Sequence, residues 1–361
     1  MGGSPTLRKI VLLDYLAVLT ITEKNAMKRK VTLTGITPSG TPHLGNYLGA
    51  IRPSIAKTRT DPNSEFFYFL ADYHSLIKST DFDKIKLSSI QIAASWLAAG
   101  LDPERVYLYR QSDLLETVEL NWVFSCVAPK GLLNRAHAYK SIRDDNIANE
   151  REEDLNVSMG LFCYPVLMAA DILIFDADIV PVGMDQIQHI EIARDIAGSF
   201  NHRYGETFVL PEGDTAEGKL LTGLDGRKMS KSYHNTIELY CPEKQLRKSI
   251  MKIMTNSQLP GEPKNPDDSI LFEYFSAFGS TEEIAEMREM FVNGIGWGDA
   301  KEKLFQLINR EMKEEREKYD YYLAHPGLIE DILQAGAAKV RPKAHAKLAD
   351  VRYKVGIRSF K

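Results

Sequence analysis

Two strings in this 361-residue chain join glycines to cationic, imidazole and amide side chains at spacings that suit a polyphosphate. The first reads Gly35-Ile36-Thr37-Pro38-Ser39-Gly40-Thr41-Pro42-His43-Leu44-Gly45-Asn46, between a strand-like run and a helix-like one. Gly35, Gly40 and Gly45 let the backbone approach a ligand, and the helix start offers unpaired N–H groups to an anion. His43 and Asn46, three residues apart, can face one phosphate group. Taken alone, the string competes with an ordinary Gly/Pro turn before a helix. Its glycines do not fit GxGxxG and no acidic ribose partner follows, so a dehydrogenase reading is poor.

The second string is Gly226-Arg227-Lys228-Met229-Ser230-Lys231-Ser232. Two lysines three apart, interleaved with the small hydroxyls Ser230 and Ser232, make a cationic clamp for a polyphosphate. Lysine is a point charge on a flexible stem, suited to a group that moves as it leaves. A generic basic surface loop is the plainer explanation for any isolated K-x-x-K pair.

These residues need a scaffold, and the apolar pattern supplies one. Val31–Thr34, Glu65–Leu70, Val106–Arg110 and part of Ile172–Val182 are continuous apolar runs of strand length. Continuous runs suit strands covered on both faces of a parallel sheet. Helix-compatible stretches lie around them: Leu44–Lys57, Lys84–Ala99, Leu161–Ala170 and Gln186–Phe200. The order predicts an α/β fold with a Rossmann-like, doubly wound parallel sheet, whose ligands gather at the carboxyl ends of strands.

After Thr236 the spacing becomes helical, over Glu243–Met254, Thr281–Asn293, Asp299–Leu323 and Gly327–Val340, with Pro260–Asp268 as a linker. Asp299 and Pro326 serve as start signals. The tail from Lys339 to Lys361 holds eight basic residues against Asp350 alone, either a solvated helix face or a phosphate-contacting surface. No internal repeat is present.

Composition bounds the rest. Hydrophobic residues make up 44% and charged residues 26%, a globular mix, and 45 basic against 49 acidic side chains leave a formal charge of −4. One large basic surface is excluded; a local basic patch is not. Cys126, Cys163 and Cys241 form no CxxC pair, which predicts a reducing, cytoplasmic setting. No apolar run reaches the roughly 18–20 residues of a membrane span. Residues 1–26 stand apart: Arg8 and Lys9 precede an apolar Ile10–Ile21 that Asp14 interrupts, with no small-x-small cleavage site after it. They read as an extension, with the folded protein starting near Met27.

Together the two strings resemble the signatures of class I aminoacyl-tRNA synthetases. His43-Leu44-Gly45-Asn46 looks like "HIGH", and Lys228-Met229-Ser230-Lys231-Ser232 is the full "KMSKS". Tyr164-Pro165-Val166-Leu167-Met168-Ala169-Ala170-Asp171 and Val180-Pro181-Val182-Gly183-Met184-Asp185-Gln186 are similar to segments of the bacterial tryptophanyl-tRNA synthetases, the sister family of the tyrosyl enzymes. An apolar slot with Met168 and Val182 can hold an indole, and one buried carboxylate, Asp171, can accept its single N–H. A site built around that bond penalises phenylalanine.

The resemblance implies a residue map. His43, Asn46, Lys228 and Lys231 would be catalytic. Thr37, Pro38, Ser39, Gly45, Asn46, Gly183, Met184, Asp185, Leu220 and the run Lys228, Met229, Ser230, Lys231, Ser232 would hold ATP. Asp171, Met168, Gln186, His74, Asp72 and Val182 would line the tryptophan pocket. Leu33, Thr37, Met184 and Tyr233 depart from the residues common at those family positions. ATP with Mg²⁺ is implied, with no protein-held metal. An iron–sulfur cluster, carried by some relatives, is not expected from three unclustered cysteines. Residues 27–236 would form the catalytic domain, with a helical connecting insertion around 78–127, and 237–361 an α-helical anticodon-binding domain for tRNA(Trp). A homodimer and no membrane association are implied. A tyrosyl-tRNA synthetase, a nucleotidyltransferase on a similar fold and an idle RNA-binding paralogue remain as alternatives.

Overall fold

The computed structural model describes residues 29–77, 79–215 and 221–357; the extension 1–26 and Leu220 lie outside them. The first strand, β1 (Val31–Ile36), runs into the glycine turn and then a helix α1, which passes through Leu44–Asn46, a π-turn Tyr47–Ile51 and Arg52–Thr60. After it come β2 (Glu65–Leu70), the short α2 (Asp72–Ser75), α3 (Phe82–Ala98) and β3 (Tyr107–Arg110). Four helices follow: α4 (Leu115–Ser125), α5 (Lys130–Leu133), α6 (His137–Ala148) and α7 (Met159–Leu173). Then β4 (Ile179–Pro181), α8 (Ile187–Tyr204) and β5 (Glu212–Asp214) complete the sheet. The helical half comprises α9 (Glu243–Ile250), α10 (Ile270–Phe278), α11 (Thr281–Val292), α12 (Trp297–Glu311), α13 (Lys313–Ala324) and α14 (Pro326–Lys354).

All five strands are parallel, in the order β3-β2-β1-β4-β5. The order reverses beside β1, so the crevice at a doubly wound sheet's switch point opens beyond β1 and β4. In β2, Phe66, Tyr68 and Leu70 enter one core while Phe67 and Phe69 enter the other. That explains a strand with no polar alternation: both faces are covered. Each buried ring adds roughly 2 kcal/mol of hydrophobic stabilisation.

Three elements differ from expectation. The strand β5 reads Glu-Gly-Asp, which carries no strand signal; its ladder to β4 makes it one. The stretch Asp299–Leu323 is two helices, broken at the buried Met312, and the first of them starts after Gly296 with Asp299 already in its first turn. The helix α10 lies where no periodic run was read; Ser269 caps it by accepting from the N–H of Phe272.

The basic tail is the largest correction. Helix α14 continues through Pro342 to Lys354 and crosses the sheet edge, placing Ile329 and Leu333 in one core and Val340, Ala344, Leu348 and Val351 in the other. Gly336 meets the backbone of Leu108 in β3. Its cations are taken up by the α/β half: Lys339 by Glu104 at 3.1 Å, Lys343 by Glu65 at 2.6 Å, Lys347 by Asp176 at 2.6 Å, and Arg352 by Glu119. Arg341 donates to the carbonyl of Asp113 at 2.9 Å. The apolar face of the helix is a seam, while Lys339, Arg341 and Lys343 stay exposed on its other side, tied to acids and carbonyls distant in sequence. Arg358 and Lys361 lie outside the described residues.

Candidate functional site

The glycine turn after β1 folds as its spacing suggests. His43 caps α1: its Nδ1 accepts from the N–H of Asn46 at 3.3 Å, and Asn46 Oδ1 accepts from the N–H of His43 at 3.0 Å. This reciprocal cap fixes the ring's tautomer, because an accepting Nδ1 leaves the proton on Nε2. Burial, and then the positive charge of Lys231, lower the His43 pKa to about 4. The imidazole is therefore neutral at neutral pH and offers Nε2–H as a donor. A Cβ on Gly45 would sit 3.0 Å from that ring and 3.2 Å from Met229 Sδ, so a larger residue there would press on both side chains.

That shift has a measurable consequence. The folded pKa lies below the ordinary 6.5, so the unfolded chain binds the extra proton first as pH falls. The contribution of neutral His43 to stability is complete above pH 6.5 and is lost as pH drops through about 4. A His43→Gln variant should show a flatter decline of melting temperature between pH 6.5 and 4 than the parent protein; parallel declines would refute this.

The lysine loop lies against the same turn. Lys231 Nζ donates to the carbonyl of Ser39 at 3.2 Å, and the N–H of Gly45 points at Met229 Sδ at 3.3 Å. Burial, followed by repulsion from Lys84, lowers the Lys231 pKa, while Glu238 opposes the shift. A desolvated lysine without a carboxylate at bonding distance gains from an incoming anion. The loop is shaped by Asn235, whose amide donates to Asp225 at 2.7 Å and to the carbonyl of Lys228 at 3.1 Å, and accepts from the N–H of Ser230 at 2.8 Å. Tyr233 packs its ring under the Arg227 guanidinium, 4.3 Å away.

Two cavities meet beside β1. One, of about 680 Å³, is lined by His43, Asn46, Lys228 and Lys231 among others; the second, of about 440 Å³, by Met168, Asp171, His74, Val182 and Gln186. Gly35, Ile36, Thr37 and Ala50 line both, so the two share a wall. A molecule reacting across that wall can touch a phosphate-type clamp on one side and an apolar slot on the other.

In the slot, Asp171 at the end of α7 is 3% exposed. Its carboxylate accepts from Gln111 Nε2 at 2.8 and 2.9 Å and lies 3.1 Å from His74 Nε2. Burial raises its pKa, opposed by the bonds from His74 and Gln111. These partners keep the oxygens oriented and leave acceptor capacity for one more donor. Phe69 supplies the aromatic wall that Leu33 does not, and it passes so close to Gly35 that a Cβ there would be 2.5 Å from the ring. Tyr164 and His189, 2.9 Å apart, form a polar end.

Not every expected residue reaches a cavity. Asp72 lines neither; its carboxylate accepts from the N–H and Oγ of Ser112 and so holds the turn that carries Gln111. Met184 is 78% exposed and lines neither, while Gly183 lines the slot. Thr37, Ser39, Met229, Ser230 and Ser232 line the larger cavity; the carbonyl of Pro38 accepts from Ser75 Oγ at 2.9 Å. Asp185 lies in the 3-10 turn Met184–Gln186 that follows β4. Gln111 was missed in the sequence. Its only signal is its place just past the carboxyl end of β3, where ligands gather in such sheets.

Comparison with known proteins agrees with this geometry. Residues 25–313 match the family described as tRNA synthetases class I (W and Y). The tryptophan–tRNA ligase of Pseudomonas aeruginosa is 56% identical over 334 residues, covering 91% of this chain and 74% of the relative. That of Neisseria meningitidis is 54% identical over 337 residues, covering 93% of this chain and all of the relative. Among solved structures, tryptophanyl-tRNA synthetase from Campylobacter jejuni, complexed with ADP and tryptophan, superposes with a TM-score of 0.82 at 43% identity. It covers 90% of this chain and 99% of that one. With a lysine loop closing on a histidine-capped turn, and relatives this similar over nearly the whole length, the chain belongs to the class I tRNA synthetases of the tryptophan and tyrosine group, among the bacterial tryptophan–tRNA ligases.

Proposed function

We propose that this protein activates L-tryptophan with ATP and transfers the tryptophanyl group to the 3′ end of tRNA(Trp), releasing AMP and pyrophosphate. The observation that carries this reading is the shared wall between the Asp171 slot and the cavity lined by His43 and Lys231. In the first step the tryptophan carboxylate attacks the α-phosphorus and the bond to pyrophosphate breaks. No protein nucleophile is needed, so positioning and charge stabilisation do the work. His43 Nε2–H, Asn46 and the start of α1 steady the phosphates; Lys228 and Lys231 follow the leaving pyrophosphate. Gln186 and His74 flank the amino acid in the slot.

Mg²⁺ enters with ATP as part of the substrate. No carboxylate lines the larger cavity, and among the described residues no cluster of three potential ligands occurs, so the fit is to an ion carried on the phosphates. In the second step a terminal ribose hydroxyl of the tRNA, the 2′-hydroxyl in class I families, takes the aminoacyl group. We assign tRNA binding to the helical half, residues 237–361, and the catalytic role to 27–236. Three free thiols, Cys126, Cys163 and Cys241, support a reducing, cytoplasmic setting. Among the described residues no helix is long and apolar enough to cross a membrane.

ATP–pyrophosphate exchange across the twenty amino acids tests the assignment: tryptophan alone should support rapid exchange, and a preference for tyrosine would overturn it. Asp171→Ala should raise the tryptophan KM by about 10- to 100-fold, since a bond to a charged acceptor is lost, with the ATP KM nearly unchanged. Equal effects on both would remove Asp171 from the indole site.

We further propose a homodimer that covers the outer stripe of α4. Leu115, Val118 and Trp122 are 70%, 41% and 69% exposed at helical spacing, an apolar stripe of the kind that marks an interface. In sedimentation velocity the parent protein should run as a dimer and Trp122→Glu as a monomer. A parent protein that runs as a monomer refutes it.

A further inference from the structure

One carboxylate outside both cavities bonds to Tyr47, next to the histidine turn, and to Tyr240, farther along the chain from the lysine loop. Glu315, in α13, accepts from the hydroxyl of Tyr47 on Oε1 at 3.0 Å and from that of Tyr240 on Oε2 at 2.6 Å. Tyr47 immediately follows Asn46, and its N–H donates to the carbonyl of His43 at 3.1 Å. Tyr240 ends the segment that descends from the lysine loop and crosses the histidine turn. There the N–H of Leu44 donates to the carbonyl of Ile237 at 2.9 Å, that of Leu239 to Pro42 at 2.9 Å, and His43 pairs with Glu238 as an antiparallel bridge. Both tyrosines are 5% exposed.

The backbone at both contacts is irregular. Tyr47 opens a π-turn inside α1, a feature that recurs at functional sites. Tyr240 has a φ of 57°, a left-handed conformation that a tyrosine keeps only when its surroundings hold it. The surroundings are the helical half: Tyr47 stacks on Phe278 of α10 with an interplanar angle of 2°, and Tyr240 packs on Tyr319 of α13 at 5.2 Å. Burial and the Glu315 charge both push the two phenol pKa values up, so each hydroxyl keeps its proton and donates.

Resting on the adenylate-forming activity proposed above, we infer that Glu315 is a positioning residue for that step, a fork by which the helical half holds the histidine turn and the lysine loop in register. Glu315 touches no substrate; it acts through Tyr47 and Tyr240. A charge placed to accept two convergent donors fixes both partners, and small displacements of groups that clamp a transition state lower the rate more than they weaken substrate binding. The tryptophan slot lies on the far side of the shared wall, so its affinity should not depend on Glu315.

The test is single-turnover adenylate formation by Glu315→Ala, Glu315→Gln and the Tyr47→Phe, Tyr240→Phe double variant, with tryptophan KM and melting temperature measured alongside. Glu315→Ala should slow the step about tenfold or more with tryptophan KM within about twofold. Glu315→Gln, which keeps one acceptor oxygen, should fall between it and the parent protein. Adding both phenylalanines to Glu315→Ala should cost nothing further, because both phenols act through that carboxylate. Unchanged rates in folded variants, a tryptophan KM that rises in step with the rate loss, or a full additional loss from the phenylalanines would overturn the inference. If Glu315→Ala does not fold, Glu315→Gln and the phenylalanine pair decide on the same rate criteria. A parent protein that forms no adenylate with tryptophan would instead overturn the assigned reaction.

Discussion

Lys231→Ala should slow tryptophanyl-adenylate formation by about 10²- to 10³-fold, with little change in tryptophan affinity, as measured by stopped-flow and equilibrium binding. The size follows from what the ammonium does. It is partly desolvated and, among the described residues, its side-chain bond is to the Ser39 carbonyl, so its charge is largely unused until negative charge builds on the departing phosphates. An interaction that strengthens only in the transition state appears in kcat and not in the binding of an amino acid held in a separate slot. Lys231→Arg should rescue the rate poorly, since a planar, delocalised fork does not place a compact point charge where the ammonium sits. A near-normal rate for Lys231→Ala would reduce the loop to a structural role.

The second large effect lies far from the chemistry. Gly336→Ala places a methyl group 1.8 Å from the backbone oxygen of Leu108 and 2.7 Å from its carbonyl carbon. No side chain can move aside, because the obstacle is the main chain of β3. Either α14 lifts from the sheet edge or the strand shifts, and we expect a loss of about 3 kcal/mol and a fall in melting temperature of about 4 °C. Because α14 contributes to both cores, the loss should appear in the cooperative unfolding of the whole described chain. A calorimetric scan that matches the parent protein would show that the helix is not essential to the sheet.

The α/β half was legible in the sequence to the extent that its signals are local. The β2 run shows its burial in six consecutive residues, and the histidine turn and lysine loop announce themselves by residue type and spacing. What escaped depends on partners distant along the chain. Gln111 is a lone amide until Asp171, sixty residues on, turns it into a strut. The strand β5 exists only because β4 lies beside it. The last helical stretch read from spacing ends at Val340, yet α14 runs on through Pro342 to Lys354 because burial of its apolar face outweighs the lost hydrogen bond. The tail's cations looked available because the acids that take them up lie up to 278 positions away.

The way α14 lies across the sheet also bears on how the protein is made. The ribosome delivers β3 long before the helix that will cover it, so a nascent chain carries an uncovered strand edge through most of its synthesis. Such an edge is a template for pairing with neighbouring chains. Slowing translation lengthens that interval and should therefore raise both the misassembled fraction and the dependence on chaperones.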